Sequence, residues 1–281
     1  RGPGRNLGES SVFEVTSLGS GSSGNALLVR TSTATLLVDC GVTIRRLTGG
    51  LASLGLTLAD VDAVLVSHEH VDHVRELSRF TSLGATVVCT RGTANASQAP
   101  RASCQVVAPR RYVELAGIEI RAIPVSHDAA EPCGFFLRAS AGSLVVATDL
   151  GRSGPELIEA VAAADLVVLE ANHDEHLLRR GPYPPQLQRR ILSDAGHLSN
   201  EACAGILQTA LSPSHRLPTV WLAHLSETNN RPGLAKQTVE RRLGQIGIRL
   251  DLRALPRRDV GPCWTPKTRR AGVAQLPLDL T

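Results

Sequence analysis

The chain of 281 residues contains no methionine and only two lysines, Lys236 and Lys267. With the initiator absent, its first residues settle nothing about targeting. The opening RGPGRNLGESS is polar and lacks a hydrophobic h-region, so no secretory signal is expected. No apolar run approaches the roughly 20 residues that a helix needs to cross a bilayer, and no internal repeat or low-complexity block occurs. A helical membrane span and a repeat architecture are therefore not expected. The six cysteines (Cys40, Cys89, Cys104, Cys133, Cys203 and Cys263) form no C-x-x-C pair, and are expected as buried thiols in a reducing cytoplasm. With so little lysine, nearly all positive charge is arginine, which suits bidentate phosphate contact. GC-rich coding produces the same bias, and a net charge of +4 does not by itself announce a nucleic-acid binder.

What is present is a chain with 42% hydrophobic residues, enough to fill a sizeable core. Strands are expected at Val12–Thr16, Ala26–Val29, Thr35–Asp39, Ala63–Ser67, Ala85–Thr90, Ile118–Val125, Gly134–Leu137, Ser143–Thr148, Leu166–Glu170 and Thr219–Ala223. Helical spacing links Ile44, Leu47, Leu51 and Leu54. Further helices are expected at Pro155–Ala164, at Glu201–Leu211 behind a Ser199 cap, and at Leu234–Leu243 after Pro232-Gly233. Strands followed by alternating helices and strands point to an α/β sandwich of two packed sheets flanked by helices. No linker divides it. One domain over 12–258 is expected, between a flexible N-terminus (1–11) and a flexible tail (259–281).

The densest chemistry is His68-Glu69-His70-Val71-Asp72-His73, directly after the apolar strand VDAVLVS and before the helix-like spacing Val74, Leu77, Phe80. Imidazole nitrogen and carboxylate oxygen are ligands for Zn²⁺ or similar ions, so this reads as a metal site rather than a merely histidine-rich loop. His127, Asp149 and His224 each stand at the carboxyl end of an apolar strand, where side chains from several strands can converge; Gly151 is expected to allow the sharp turn after Asp149. Any one of them alone would pass for an ordinary polar residue. Together the seven groups can hold two divalent ions, with Asp149 between them.

In this order the ligands resemble the metallo-β-lactamase superfamily, which implies an αβ/βα sandwich with the site along one edge. The motif match implies His68, His70 and His127 around a first ion, and Asp72, His73 and His224 around a second, either Zn²⁺ or Mn²⁺. Asp39, in LLVDCG, would buttress the site. GSGSSGN (Gly19 to Asn25), SHDAAEP (Ser126 to Pro132), EANHD (Glu170 to Asp174), Tyr183-Pro184, RRI (Arg189 to Ile191), GHLSN (Gly196 to Asn200) and HLSETNNRP (His224 to Pro232) further resemble the YycJ/WalJ-like branch of bacterial 5′ exonucleases acting on DNA. The pairing of Glu170 with His197 is similar to ribonuclease Z, although Leu198 stands where that family has serine. It implies that His197, backed by Glu170, protonates a leaving oxygen; Asp72 is expected as a further catalytic residue.

The turn Ser20-Gly21-Ser22-Ser23-Gly24-Asn25 is expected either to cradle a phosphate, through Ser20, Ser22, Ser23 and Asn25, or to be a plain hairpin turn. Arg190 is a further candidate for contact with the DNA backbone. An RNA-processing nuclease, a glyoxalase II or lactonase-type hydrolase, and a sheet protein with a purely structural metal remain as alternatives. Last, Gln275-Leu276-Pro277-Leu278-Asp279-Leu280 resembles the peptides by which bacterial repair factors dock on the sliding clamp. The resemblance implies the clamp as a partner, through Gln275, Leu276, Leu278 and Leu280.

Overall fold

A computed structural model describes residues 12–97 and 99–266. The first sheet is built from β1 (Phe13–Gly19), β2 (Ala26–Thr31), β3 (Thr35–Val38), β4 (Ala63–Leu65), β5 (Thr86–Cys89) and β6 (Cys104–Val106). The second takes β7 (Tyr112–Leu115), β8 (Ile118–Pro124), β9 (Cys133–Ala139), β10 (Gly142–Ala147), β11 (Leu166–Glu170), β12 (Thr219–Ala223) and β13 (Asp251–Ala254). A last strand, β14 (Cys263–Trp264), returns to the outer edge of β1. In each sheet an antiparallel meander turns parallel halfway, at β3 in the first and at β10 in the second.

The helices are α1 (Ile44–Ser53), α2 (Val71–Val74), α3 (Leu77–Ser82), α4 (Arg91–Ala96), α5 (Pro155–Ala163), α6 (Glu175–Arg180), α7 (Pro185–Ile191), α8 (Asn200–Ala210) and α9 (Pro232–Gly244). Strand periodicity decides which layer each side chain enters. Leu27 and Val29 point between the sheets with Phe135, Leu144 and Val168, whereas Leu28 points outward under α1 and α3 with Leu47, Leu51 and Phe80. On the far side, Val145, Val167 and Val220 pack beneath α5, α8 and α9 through Leu157, Leu207 and Val239. Each fully buried leucine contributes roughly 1.5–3 kcal/mol. The result is the expected αβ/βα sandwich. Among the described residues no helix is long and apolar enough to cross a membrane.

Three local expectations change. The helical spacing after the histidine cluster is split into α2 and α3, because the Glu76 N–H donates to Cys40 O and its carboxylate accepts from Ile44 N at the start of α1. Glu76 ties two elements together there instead of continuing a helix. Ordered structure also runs past 258: Trp264 is buried edge-on to Phe13, ring centroids 6.2 Å apart, so the short strand β14 lies within the tail expected from 259. Of the cysteines, Cys40, Cys89, Cys133 and Cys203 are buried thiols as expected, but Cys104 is half-buried and Cys263 exposed.

Candidate active site

The parallel strands of both sheets end at one edge, and three residues there carry left-handed backbone: Asp39 after β3 (φ 60°), Asp149 after β10 (φ 59°) and His224 after β12 (φ 52°). Non-glycine residues hold this conformation at a cost of about 1–3 kcal/mol each, and such strain concentrates at functional sites. The bend at Asp149 therefore lies at the aspartate itself rather than at Gly151. Gly151 serves a different end, since a Cβ there would lie 2.3 Å from the carbonyls of Ser193 and Asp194. Gly41 likewise admits the Asp72 carbonyl, which would stand 1.7 Å from its Cβ.

The Asp39 carboxylate accepts from Ser67 N (2.9 Å), Ser67 Oγ (3.0 Å) and His73 Nδ1 (2.8 Å). His68 Nδ1 lies 3.0 Å from Ser67 Oγ, and His127 Nδ1 lies 3.3 Å from the Gly196 carbonyl. His224 Nδ1 meets Glu170 Oε1 at 2.9 Å. In all four histidines Nδ1 is taken by the fold, which leaves Nε2 for whatever occupies the centre, the arrangement typical of metal-binding histidines. The ligand atoms of His68, His70 and His127 lie within 4.8 Å of one another, as do those of Asp72, His73 and His224. Asp149 reaches both neighbourhoods: it groups with His68 and His73 on one side, and with Glu170, His197 and His224 on the other.

Buried His68 Nε2 and His224 Nε2 have no hydrogen-bond partner, and buried Asp149 Oδ2 meets His73 Nε2 at 2.9 Å. Each unpartnered nitrogen would cost about 1–3 kcal/mol if left so. A set of imidazoles and carboxylates with orphaned inward atoms fits divalent cations. The charge balance agrees. Burial pushes the His224 imidazolium down, but Asp149, Asp72 and Glu170 outweigh it and raise its pKa to about 10. His73 is raised in the same way by Asp39 and Asp149, while burial holds His68 and His127 neutral. Despite its burial, the Asp149 carboxyl is held well below the usual carboxylate range by His224 and His73.

Glu170, at the end of β11, is fully buried and accepts His197 Nδ1 at 2.9 Å through the same oxygen that meets His224. Its other oxygen accepts Leu150 N (3.0 Å) and Leu198 N (3.3 Å). Burial lowers the His197 pKa, but Glu170 and Asp149 more than reverse it and raise it above the usual histidine value. The Ser199 side chain caps α8 by accepting from Ala202 N, which leaves His197 free of any capping duty.

The turn after β1 is tied to the histidines. Ser20 Oγ accepts from His224 N at 2.9 Å, and Asn25 Oδ1 accepts from Gly21 N while its Nδ2 lies 3.1 Å from His73 Nε2. Both side chains are buried, and these contacts tie Ser20 to the His224 backbone and Asn25 to the His73 ring. Ser22 is exposed and lines a cleft beside His127 and His197. Ser23 is half-buried, and its carbonyl accepts from Arg75. Arg190 lines the same cleft, paired to Asp128 (Nε to Oδ2, 2.8 Å). Asp128 and Ser67 were not singled out by sequence reasoning, although each adjoins a histidine that was. Gln275, Leu276, Leu278 and Leu280 lie outside the described residues.

Such an edge-lined centre on this sandwich defines a metal-dependent hydrolase. The family described as "Beta-lactamase superfamily domain" matches residues 34–219, and the chain belongs to that metallo-β-lactamase superfamily. It is 34% identical over 251 residues to exodeoxyribonuclease WalJ of Streptococcus pneumoniae, covering 86% of this chain and 93% of that protein. With exodeoxyribonuclease YycJ of Bacillus anthracis it shares 33% identity over 239 residues, 82% of this chain and 89% of the relative. Among solved structures, the metallo-β-lactamase fold protein YhfI from Bacillus subtilis superposes with a TM-score of 0.68 at 17% identity, covering 91% of this chain and 99% of that one.

Proposed function

We propose that this hydrolase is a two-ion phosphodiesterase that removes nucleotides from DNA ends in the 5′→3′ direction. The observation that carries the reading is Glu170 Oε1, held 2.9 Å from both His197 and His224. It sets a carboxylate-backed imidazole against the donor cluster, and phosphodiester cleavage needs such a group to protonate a poor alkoxide leaving group. Thioesters and lactones need it less. The identity to two exodeoxyribonucleases over most of the chain supports DNA as the substrate.

His68, His70 and His127 would hold one ion, and Asp72, His73 and His224 the other, with Asp149 offering an oxygen to each set. Bound divalent ions would supply Lewis acidity and a water of lowered pKa. The chain's own residues do the rest. Asp39, Ser67 and the Gly196 carbonyl fix the tautomers of His73, His68 and His127. Glu170 keeps the proton on His197 Nδ1 and stabilises the charged ring, so that Nε2 faces the leaving oxygen as the acid.

The test is incubation with 5′-labelled duplex DNA, single-stranded DNA and RNA, in Mn²⁺ and in Zn²⁺. Progressive shortening of DNA with release of the 5′ label first is expected. Cleavage of RNA alone, or of none of the three, would contradict the proposal.

A further inference from the structure

The cleft beside His127 and His197 contains a ring whose role is so far unassigned. Tyr183, just before α7, is half-buried in its wall. The cleft opens to solvent and holds a volume of about 170 Å³. Leu187 adds aliphatic surface to the wall, and Ser22 and Asn172 add polar edges.

Aromatic residues are scarce, at 3% of the chain. All the others are accounted for elsewhere: Phe13, Phe80, Phe135, Phe136, Trp221 and Trp264 are core, and Tyr112 is exposed on β7 at the end of the second sheet. Tyr183 is thus the aromatic side chain beside the proposed acid, with the guanidinium of Arg190 in the same wall.

We infer that this cleft receives the nucleoside adjoining the bond to be cut, and that Tyr183 stacks on its base. Stacking of this kind tolerates any base, because every base has a π-face. Tyr183 then acts as a substrate-binding residue that registers a nucleotide against His197 without reading sequence. The inference rests on the nuclease reading above.

The test compares wild type, Tyr183→Phe and Tyr183→Leu on single-stranded DNA whose terminal residue is either intact or abasic. Gln188 Nε2 donates to the Tyr183 main-chain carbonyl, so neither substitution removes that bond. Tyr183→Phe keeps the ring and should keep kcat/KM. Tyr183→Leu should lose roughly ten- to a hundredfold on intact ends, chiefly through KM. On abasic ends wild type and Tyr183→Leu should coincide. Equal rates for wild type and Tyr183→Leu on intact ends would overturn the stacking role while leaving the nuclease reading intact, as would an equal loss on both substrates. A wild-type protein that degrades neither DNA would overturn both.

Discussion

The carboxylate of Asp39 holds His73 Nδ1 at 2.8 Å, and the same carboxylate takes both hydrogen bonds offered by Ser67. One buried acid thereby fixes the tautomer of a ligand histidine and the position of the loop that supplies His68 and His70. Asp39→Asn isolates the charge, because asparagine tolerates the left-handed backbone at this position. Metal affinity measured by calorimetry should fall by about 10–100-fold. Unchanged affinity would contradict the buttressing role.

Asp149→Asn should keep the fold, since this residue also sits at left-handed φ and at a strand end rather than within the core. The bound-ion content should fall below two and turnover should be lost. Elemental analysis that still finds two ions per chain would contradict a shared position for Asp149.

His197→Ala should keep both ions and lose rate by roughly 10²–10⁴-fold, as expected for a missing general acid. A p-nitrophenyl phosphodiester, whose leaving group needs no proton, should recover part of the deficit. Wild-type rates on DNA would exclude His197 as the acid.

Metal uptake should be linked to pH. In the cation-free protein the carboxylates hold His73 and His224 protonated, and both must lose a proton to offer Nε2. Apparent affinity should therefore rise as pH increases through the neutral range. Proton release on titration with Zn²⁺ in buffers of different ionisation enthalpy measures this directly.

His173 supplies a separate pH effect. It is buried with both ring nitrogens unpartnered, and burial pushes its pKa down to about 4. The unfolded chain, with a histidine pKa of about 6.5, takes up a proton between these values that the folded chain refuses. The contribution of His173 should be full above about pH 6.5 and decline as pH falls towards 4, by roughly 3 kcal/mol. His173→Leu should flatten that part of the profile in urea denaturation relative to wild type.

All ten strands expected from sequence are present, because each is an apolar run long enough to be buried. Strands β6, β7, β13 and β14, which no apolar run marks in the sequence, are short and lie at the sheet edges, where one face meets solvent and the apolar pattern thins; Tyr112–Leu115 alternates exposed and half-buried along its length. The ligand cluster was legible for a similar reason of locality, with four donors inside six residues. Less legible were relations that only the tertiary fold creates. Glu170 serves His224 as well as His197, and Ser20 reaches the backbone of a histidine 204 residues away. The Ser20–Asn25 turn reads equally as a phosphate cradle or a plain hairpin, because small polar residues suit either task.

End-dependent, metal-dependent cleavage of DNA can be followed with two substrates of identical sequence. Chelator-treated protein refilled with Mn²⁺ or Zn²⁺ is given linear duplex and covalently closed circular duplex, and release of acid-soluble nucleotide is followed. The linear form should be degraded and the closed circle left intact, with no release before metal is restored. Equal degradation of both forms, or degradation by the metal-free protein, would exclude a metal-dependent exonuclease.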